Sequence, residues 1–180
     1  RRRRRPVARP CHRKLPMPPD VTDEQWFDAV FTAHGAAVHR YFLRRAPAQD
    51  AEDLTAEVLA TAWRRRDDVP RGHELPWLYR TAGYVLANHR RKHRAEPVDV
   101  TQTPLTDAGA DPAGQATEAQ MVRHVLAGLR PREREVLMLH AWEGLDGAQL
   151  AEVLGLSRGG AAAALSRARE RLRQIWGEVE

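Results

Sequence analysis

Between Glu96 and Ala116 the chain loses the helical rhythm that it keeps on either side, and no other feature constrains its fold as much. Pro97, Pro104, Gly109, Pro112 and Gly114 interrupt this stretch, and its only charges are Glu96, Asp99, Asp107 and Asp111. A segment of that composition reads as an acidic, extended linker. Before it, Val21 to Ala46 places Phe27, Val30, Phe31, His34, Val38, Tyr41 and Phe42 at helical spacing. Thr22 and Gln25 form a capping box at its start, with Val21 and Trp26 set as a hydrophobic staple. Pro47 ends that helix, and a second is predicted over 48–65, burying Leu54, Val58 and Ala62 with Leu59 and Trp63 beside them. Pro76 opens a third, running to about His93, with Leu78, Ala82, Val85, Leu86 and His89 as its apolar stripe.

After the linker, Thr117 and Gln120 form a second capping box, and helices are predicted over 118–128, 131–142, 146–154 and 158–176. Pro131 and Asp146 mark starts, while Gly144 and Gly155 mark turns. No alternating strand pattern and no internal repeat occurs. The expected class is all-α: a basic tail over 1–20, a helical domain over 21–95, an acidic flexible linker over 96–116, and a second helical domain over 117–180.

Hydrophobic residues make up 42% of the chain, enough for packed cores. Cys11 is the sole cysteine, so neither an intrachain disulfide nor a thiolate zinc site is expected, which fits a reducing cytoplasm. No apolar run approaches the roughly 18 to 20 residues of a membrane span. Arg1 to Arg5 lead into more Pro, Arg and Lys rather than a signal peptide's apolar segment. A cytoplasmic protein without membrane insertion is expected. Met17 directly precedes the first helical segment and is a candidate translation start, which would remove Arg1 to Pro16.

The net charge of +5 is unevenly spread. Residues 1–16 hold eight Arg or Lys and no acid, leaving the remainder at −3. Arg71 to Arg94 has six bases against Glu74, and Ser157 to Trp176 has five arginines against Glu170. Ala48 to Ala62, by contrast, has four acids and no base. Taken singly, each run could be a solvated helix face. Together they describe a protein that meets nucleic acid at two places and a basic protein surface at a third.

On the third helix, Trp77, Arg80, Tyr84, Asn88 and Arg91 recur at steps of three or four, opposite the apolar stripe. Aromatic rings stack on unpaired bases, arginines neutralise phosphate and an amide bonds a base edge, so this mix suits melted DNA. In the second helix, Asp50, Asp53 and Glu57 form a carboxylate stripe suited to an arginine-rich partner. His89 and His93 have the i, i+4 spacing of metal ligands, but lack a third ligand or a nearby general-base glutamate; no metal and no cofactor is expected. With no Gly-rich phosphate loop and no nucleophile–His–acid arrangement, the chain does not read as an enzyme. A metal-dependent nuclease built on the carboxylate stripe would need further ligands in a pocket.

The last two helices, joined at Gly155, have the layout of a helix-turn-helix. Asp146 and Gln149 cap the first helix and Ser157 the second, whose inner stripe is Ala161, Ala164, Leu165, Ala168 and Leu172. Outward point Arg158, Ala162, Ser166, Arg169 and Arg173, flanked by Arg167 and Arg171. Phosphate contacts are many here, and base contacts few.

In combination these segments resemble the extracytoplasmic-function group of bacterial sigma factors, in the sigma-70 family, over about Trp26 to Arg173. The matching stretches are DAEDLTAEVLATAWRR (50–65), LPWLYRTAGYVLANHRR (75–91), LRPREREVLMLHAWEGLDGAQLAEVLGLS (129–157) and LSRARERLR (165–173). The resemblance implies a first domain (region 2) that docks on core RNA polymerase through an acidic helix, Asp53 and Glu57 matching that motif. It further implies capture of the melted minus-ten element along the stretch bearing Trp77, Arg80, Asn88 and Arg91. The second domain (region 4) would read the minus-thirty-five element of promoter DNA, with Ser166, Arg167 and Arg169 matching. An anti-sigma factor is a further partner that the resemblance implies. The chain departs from the pattern at Tyr84, where relatives carry a base-capturing Asn, and at Ala162, Ala163 and Ala164, where they carry polar and basic side chains. The reading helix is therefore expected to position by phosphate contacts and DNA shape more than to specify. The alternative is a stand-alone helix-turn-helix transcriptional regulator, which leaves the Trp77 face and the acidic stripe without a use.

Overall fold

The computed structural model describes residues 22–93 and 112–177. The basic tail with Cys11 and Met17, the staple residue Val21 and linker positions 94–111 lie outside the described residues. Every regular element among the described residues is helical, as the sequence pattern requires.

Helix α1 spans Asp23–Leu43 and begins at the predicted box: the Thr22 hydroxyl accepts from the Gln25 amide at 3.2 Å, and the Gln25 side chain accepts from the Thr22 amide at 2.9 Å. After Pro47 a 3-10 turn, Ala48–Asp50, feeds α2, Ala51–Arg64, and a second such turn, Arg66–Asp68, follows it. Helix α3, Glu74–Lys92, starts before Pro76, which sits buried in its first turn where a missing N–H breaks no helical bond. The three helices pack on one another around Val38, Phe42, Val58 and Leu78, all essentially without solvent.

The buried arc of α1 differs from the expected stripe. Phe31 is 55% exposed, whereas Trp26 is buried, with the Arg71 guanidinium 4.0 Å over its ring. The packed face runs through Trp26, Val30, Val38 and Phe42 in steps of four and eight, and Phe31 lies one residue farther round. Phe27 and Trp63 meet edge to face at 5.3 Å on the rim instead of entering the centre.

Helix α4, Pro112–Ala127, begins well before the expected 118, so positions 112–116 are helix and not linker. The helix runs straight through 117, leaving no free amides there for a capping box. Pro112 starts it instead, as a first-turn proline does. Helix α5, Pro131–Ala141, is tied back onto α4 by Arg134, whose guanidinium donates to the carbonyls of Leu126, Ala127 and Leu129. Helices α6, Gly147–Leu154, and α7, Arg158–Gly177, form the expected pair. The Asp146 carboxylate accepts from the amides of Ala148 and Gln149, both at 2.8 Å, and Gly155 turns the chain at φ 63°, a left-handed value that glycine adopts without a Cβ clash. Leu150 on α6 is fully buried with Val136, Leu139, Leu145, Ala161 and Ala168 in this second core.

Truncating Leu150 to Ala is expected to lower stability in urea unfolding by about 2–5 kcal/mol. Asp146→Ala, which removes only the cap, should cost about 1 kcal/mol. A smaller loss for Leu150→Ala than for Asp146→Ala would contradict this packing.

Candidate nucleic-acid interface

Helix α3 is anchored by Leu78, Ala82, Val85 and Leu86, which fixes the direction of its opposite face. Arg80, Tyr84, Asn88 and Arg91 all stand exposed there, Tyr84 at 62%. Trp77 does not join them fully: it is half-buried against the core. Arg91 donates to the Asn88 carbonyl oxygen at 3.2 Å, which orients that amide so that its NH₂ faces outward. The face therefore offers one free ring, an oriented amide and two guanidiniums.

The carboxylate stripe is divided. Asp53 and Glu57 are exposed on α2, but Asp50 lies in the preceding 3-10 turn, with its carboxylate 3.2 Å from His89 Nε2. His89 and His93 stack at 4.5 Å, and no group of three or more potential ligands able to hold a metal ion occurs among the described residues.

On α7 the Ser157 hydroxyl accepts from the Gly160 amide at 3.1 Å, which fixes the helix start. A Cβ at Gly160 would come within 3.2 Å of that hydroxyl, whereas one at Gly159 would meet nothing. Ala161 and Ala168 face the core, and Arg158, Ala162, Ala163, Ser166, Arg167 and Arg169 face out. Arg169 is held by His140: Arg169 Nη2 lies 2.7 Å from His140 Nε2, while His140 Nδ1 lies 2.9 Å from the Leu145 carbonyl oxygen. Since a carbonyl only accepts, Nδ1 carries the proton and Nε2 accepts from the guanidinium. His140 thus lies between the Leu145 carbonyl and Arg169 and holds that guanidinium in place. The outward face of α7 is a methyl-lined strip flanked by arginines.

The two helical units also touch, which periodicity did not foretell. Helix α3 packs against α6, and the Glu143 carboxylate, in the turn after α5, reaches the end of α1. Its two oxygens take Arg44 Nη2 at 2.6 Å and Arg45 Nη1 at 2.7 Å, and the Tyr79 hydroxyl lies 3.4 Å away. The Glu143 side chain is 1% exposed and that of Arg45 7%. Burial, and then the Glu143 charge, pushes the Tyr79 hydroxyl well above its ordinary pKa, so it remains a donor. Beside this cluster lies a cleft of about 710 Å³ whose walls include Arg45, Leu86, Arg90, Arg134, Met138 and Trp142. Desolvation over this cleft, with Arg45 and Arg134 adding repulsion, lowers the Arg90 pKa, even though much of that side chain reaches water.

A Sigma-70 region 2 family model matches residues 30–96, and a Sigma-70, region 4 model matches residues 119–172. The RNA polymerase sigma-E factor of Streptomyces avermitilis is 30% identical over 130 residues, 69% of this chain and 70% of that protein. "Probable RNA polymerase sigma factor RfaY" of Xanthomonas campestris is 30% identical over 132 residues, or 68% of this chain, which spans only 33% of that longer protein. Among solved structures, RpoE in complex with the anti-sigma factor NepR, from Bartonella quintana, shares the fold at a TM-score of 0.61 and 23% identity, covering 84% of this chain and 96% of that one. The chain belongs to the sigma-70 family of RNA polymerase sigma factors, with the region 2 and region 4 organisation of the extracytoplasmic-function group.

Proposed function

We propose that the chain joins bacterial core RNA polymerase in the cytoplasm, brings it to promoters and helps to open them, without itself catalysing bond chemistry. The observation that carries this reading is that regions 2 and 4 occur in one chain, region 2 with an exposed acidic face on α2 and a basic one on α3, and region 4 with an exposed arginine-flanked face on α7. The region 2 unit, taken as 21–95, docks on polymerase through Asp53 and Glu57, with Asp50 contributing less because His89 engages it. Its α3 face captures melted minus-ten DNA: Tyr84 stacks on an unpaired base, Asn88 bonds a base edge, and Arg80 and Arg91 meet phosphates. Trp77 supports that face from its half-buried position.

The region 4 unit, taken as 117–180, lays α7 in the minus-thirty-five major groove. Arg158, Arg167 and Arg169 contact phosphates, and Ser166 is the polar side chain nearest the bases. Bidentate base contacts discriminate by about 1–3 kcal/mol, which methyl groups at 162–164 cannot supply. Region 4 therefore fixes position, and region 2 carries more of the sequence choice. An anti-sigma factor, as bound by the Bartonella quintana relative, is a further expected partner.

Asp53→Ala with Glu57→Ala is expected to weaken binding to core polymerase by about ten-fold, mostly through a slower association rate. Unchanged binding of that double variant in a fluorescence titration would remove α2 from the interface. In promoter binding by holoenzyme, Arg167→Ala should reduce the log–log salt slope by about 1 and weaken binding on every sequence, while Ala163→Ser leaves it within about two-fold. Equal effects of the two substitutions would defeat the positioning role of α7.

A further inference from the structure

We infer that His140, on α5, is a positioning residue for promoter binding: its imidazole sets the direction of Arg169 on α7 before DNA arrives, so that this arginine meets a backbone phosphate of the minus-thirty-five duplex already ordered.

The geometry is a relay from the core of the second unit to its surface. Leu145 is buried, and its amide donates to the Leu139 carbonyl at 3.2 Å, which pins the turn between α5 and α6 at that residue. The Leu145 carbonyl oxygen lies 2.9 Å from His140 Nδ1, and His140 Nε2 lies 2.7 Å from Arg169 Nη2, 29 positions farther along the chain. A carbonyl only accepts and a guanidinium only donates, so the ring gives a proton on one side and a lone pair on the other. Turning the ring over would lose both bonds. His140 is half-buried and Arg169 exposed, so the fixed end of the relay is the scaffold and the presented end is the cation.

This tether differs from those of the arginines that follow on α7. Arg173 pairs with the Glu170 carboxylate at 2.7 Å, and Arg171 donates to the Gln174 side-chain oxygen at 3.4 Å; both partners sit within one turn of the same helix. Glu170 also offsets the charge that a phosphate would meet. The imidazole belongs to another helix and holds its arginine through a lone pair, which leaves the positive charge and the rest of the guanidinium fork for phosphate. Ordering a long side chain at the moment of binding lowers affinity, and here the ordering is done on folding. Placement matters more on this helix than on one with base-reading side chains. Ala162, Ala163 and Ala164 offer no hydrogen bond to a base edge, so the register of α7 in the groove depends on where its arginines stand. A mobile guanidinium can reach several phosphates, and a tethered one selects among them. The inference rests on α7 as the duplex-docking helix of a sigma factor.

The test is a double-mutant cycle on holoenzyme binding to a promoter mapped by run-off transcription. His140→Leu should weaken binding about five-fold and leave the log–log salt slope unchanged, because the guanidinium still reaches phosphate once ordered. Arg169→Ala should weaken binding at least as much and lower that slope by about 1. In the Arg169→Ala background, His140→Leu should add less than about two-fold. His140→Gln, whose carboxamide oxygen can accept the guanidinium, should return binding to within about two-fold of the wild type. Equal losses from His140→Leu in both backgrounds overturn the positioning role, since His140 would then support the fold or touch DNA itself. A salt slope that falls with His140→Leu alone overturns it too, as does an Arg169→Ala variant that binds like the wild type. In the free full chain, nitrogen NMR should show the His140 proton on Nδ1; a proton on Nε2 would overturn the tether without reference to DNA. A wild-type holoenzyme that binds no promoter would count against the sigma reading and leave the tether to be judged by that spectrum.

Discussion

Glu143 is withdrawn from water between two helical units, and a carboxylate cannot stand there without cations. That single requirement fixes much of the relative geometry. Arg44 and Arg45 must sit at the end of α1, Tyr79 must point its hydroxyl across from α3, and the turn after α5 must present the carboxylate, which Gly144 allows with a φ of 68°. The packing of α3 against α6 follows the same alignment. The buried cores of the two units run into one another as one hydrophobic cluster, so apolar packing and the ion cluster together hold the units in place.

The functional faces depend on those cores in a simple way. Side chains that anchor α3 and α7 inward leave the opposite sides no choice of direction. On α3 this yields a ring, an amide and two arginines on one exposed face. On α7 it yields alanines edged by arginines. His140 shows how the scaffold reaches into that surface: its bond to the Leu145 carbonyl settles its proton, and its other nitrogen then holds Arg169.

Local chemistry was legible in the sequence. Thr22 with Gln25, Asp146 with Gln149, and Gly155 each act through neighbours within a few residues, and each stands where the pattern placed it. The outward rows of α3 and α7 were legible for the same reason, apart from the half-buried Trp77. Elsewhere periodicity misled. Phe31 and Trp26 stand about 140° apart on α1, and only tertiary packing decided that the indole's side goes in. The start of α4 was missed because Pro112 and Gly114 read as breakers, although a proline in a first turn is a legitimate start. Glu143 carried no signal at all: a glutamate in a turn resembles any solvated acid, and its partners lie nearly a hundred positions away. His89 as partner of Asp50 was hidden likewise.

Promoter-directed initiation is the central claim, and run-off transcription tests it most directly. Bacterial core polymerase would be given fragmented genomic DNA with and without this protein, and the new transcript starts mapped. New starts preceded by two spaced elements, the upstream one more degenerate than the one near minus ten, are expected. Transcription identical with and without the protein, under conditions where it binds core polymerase, would contradict promoter-directed initiation.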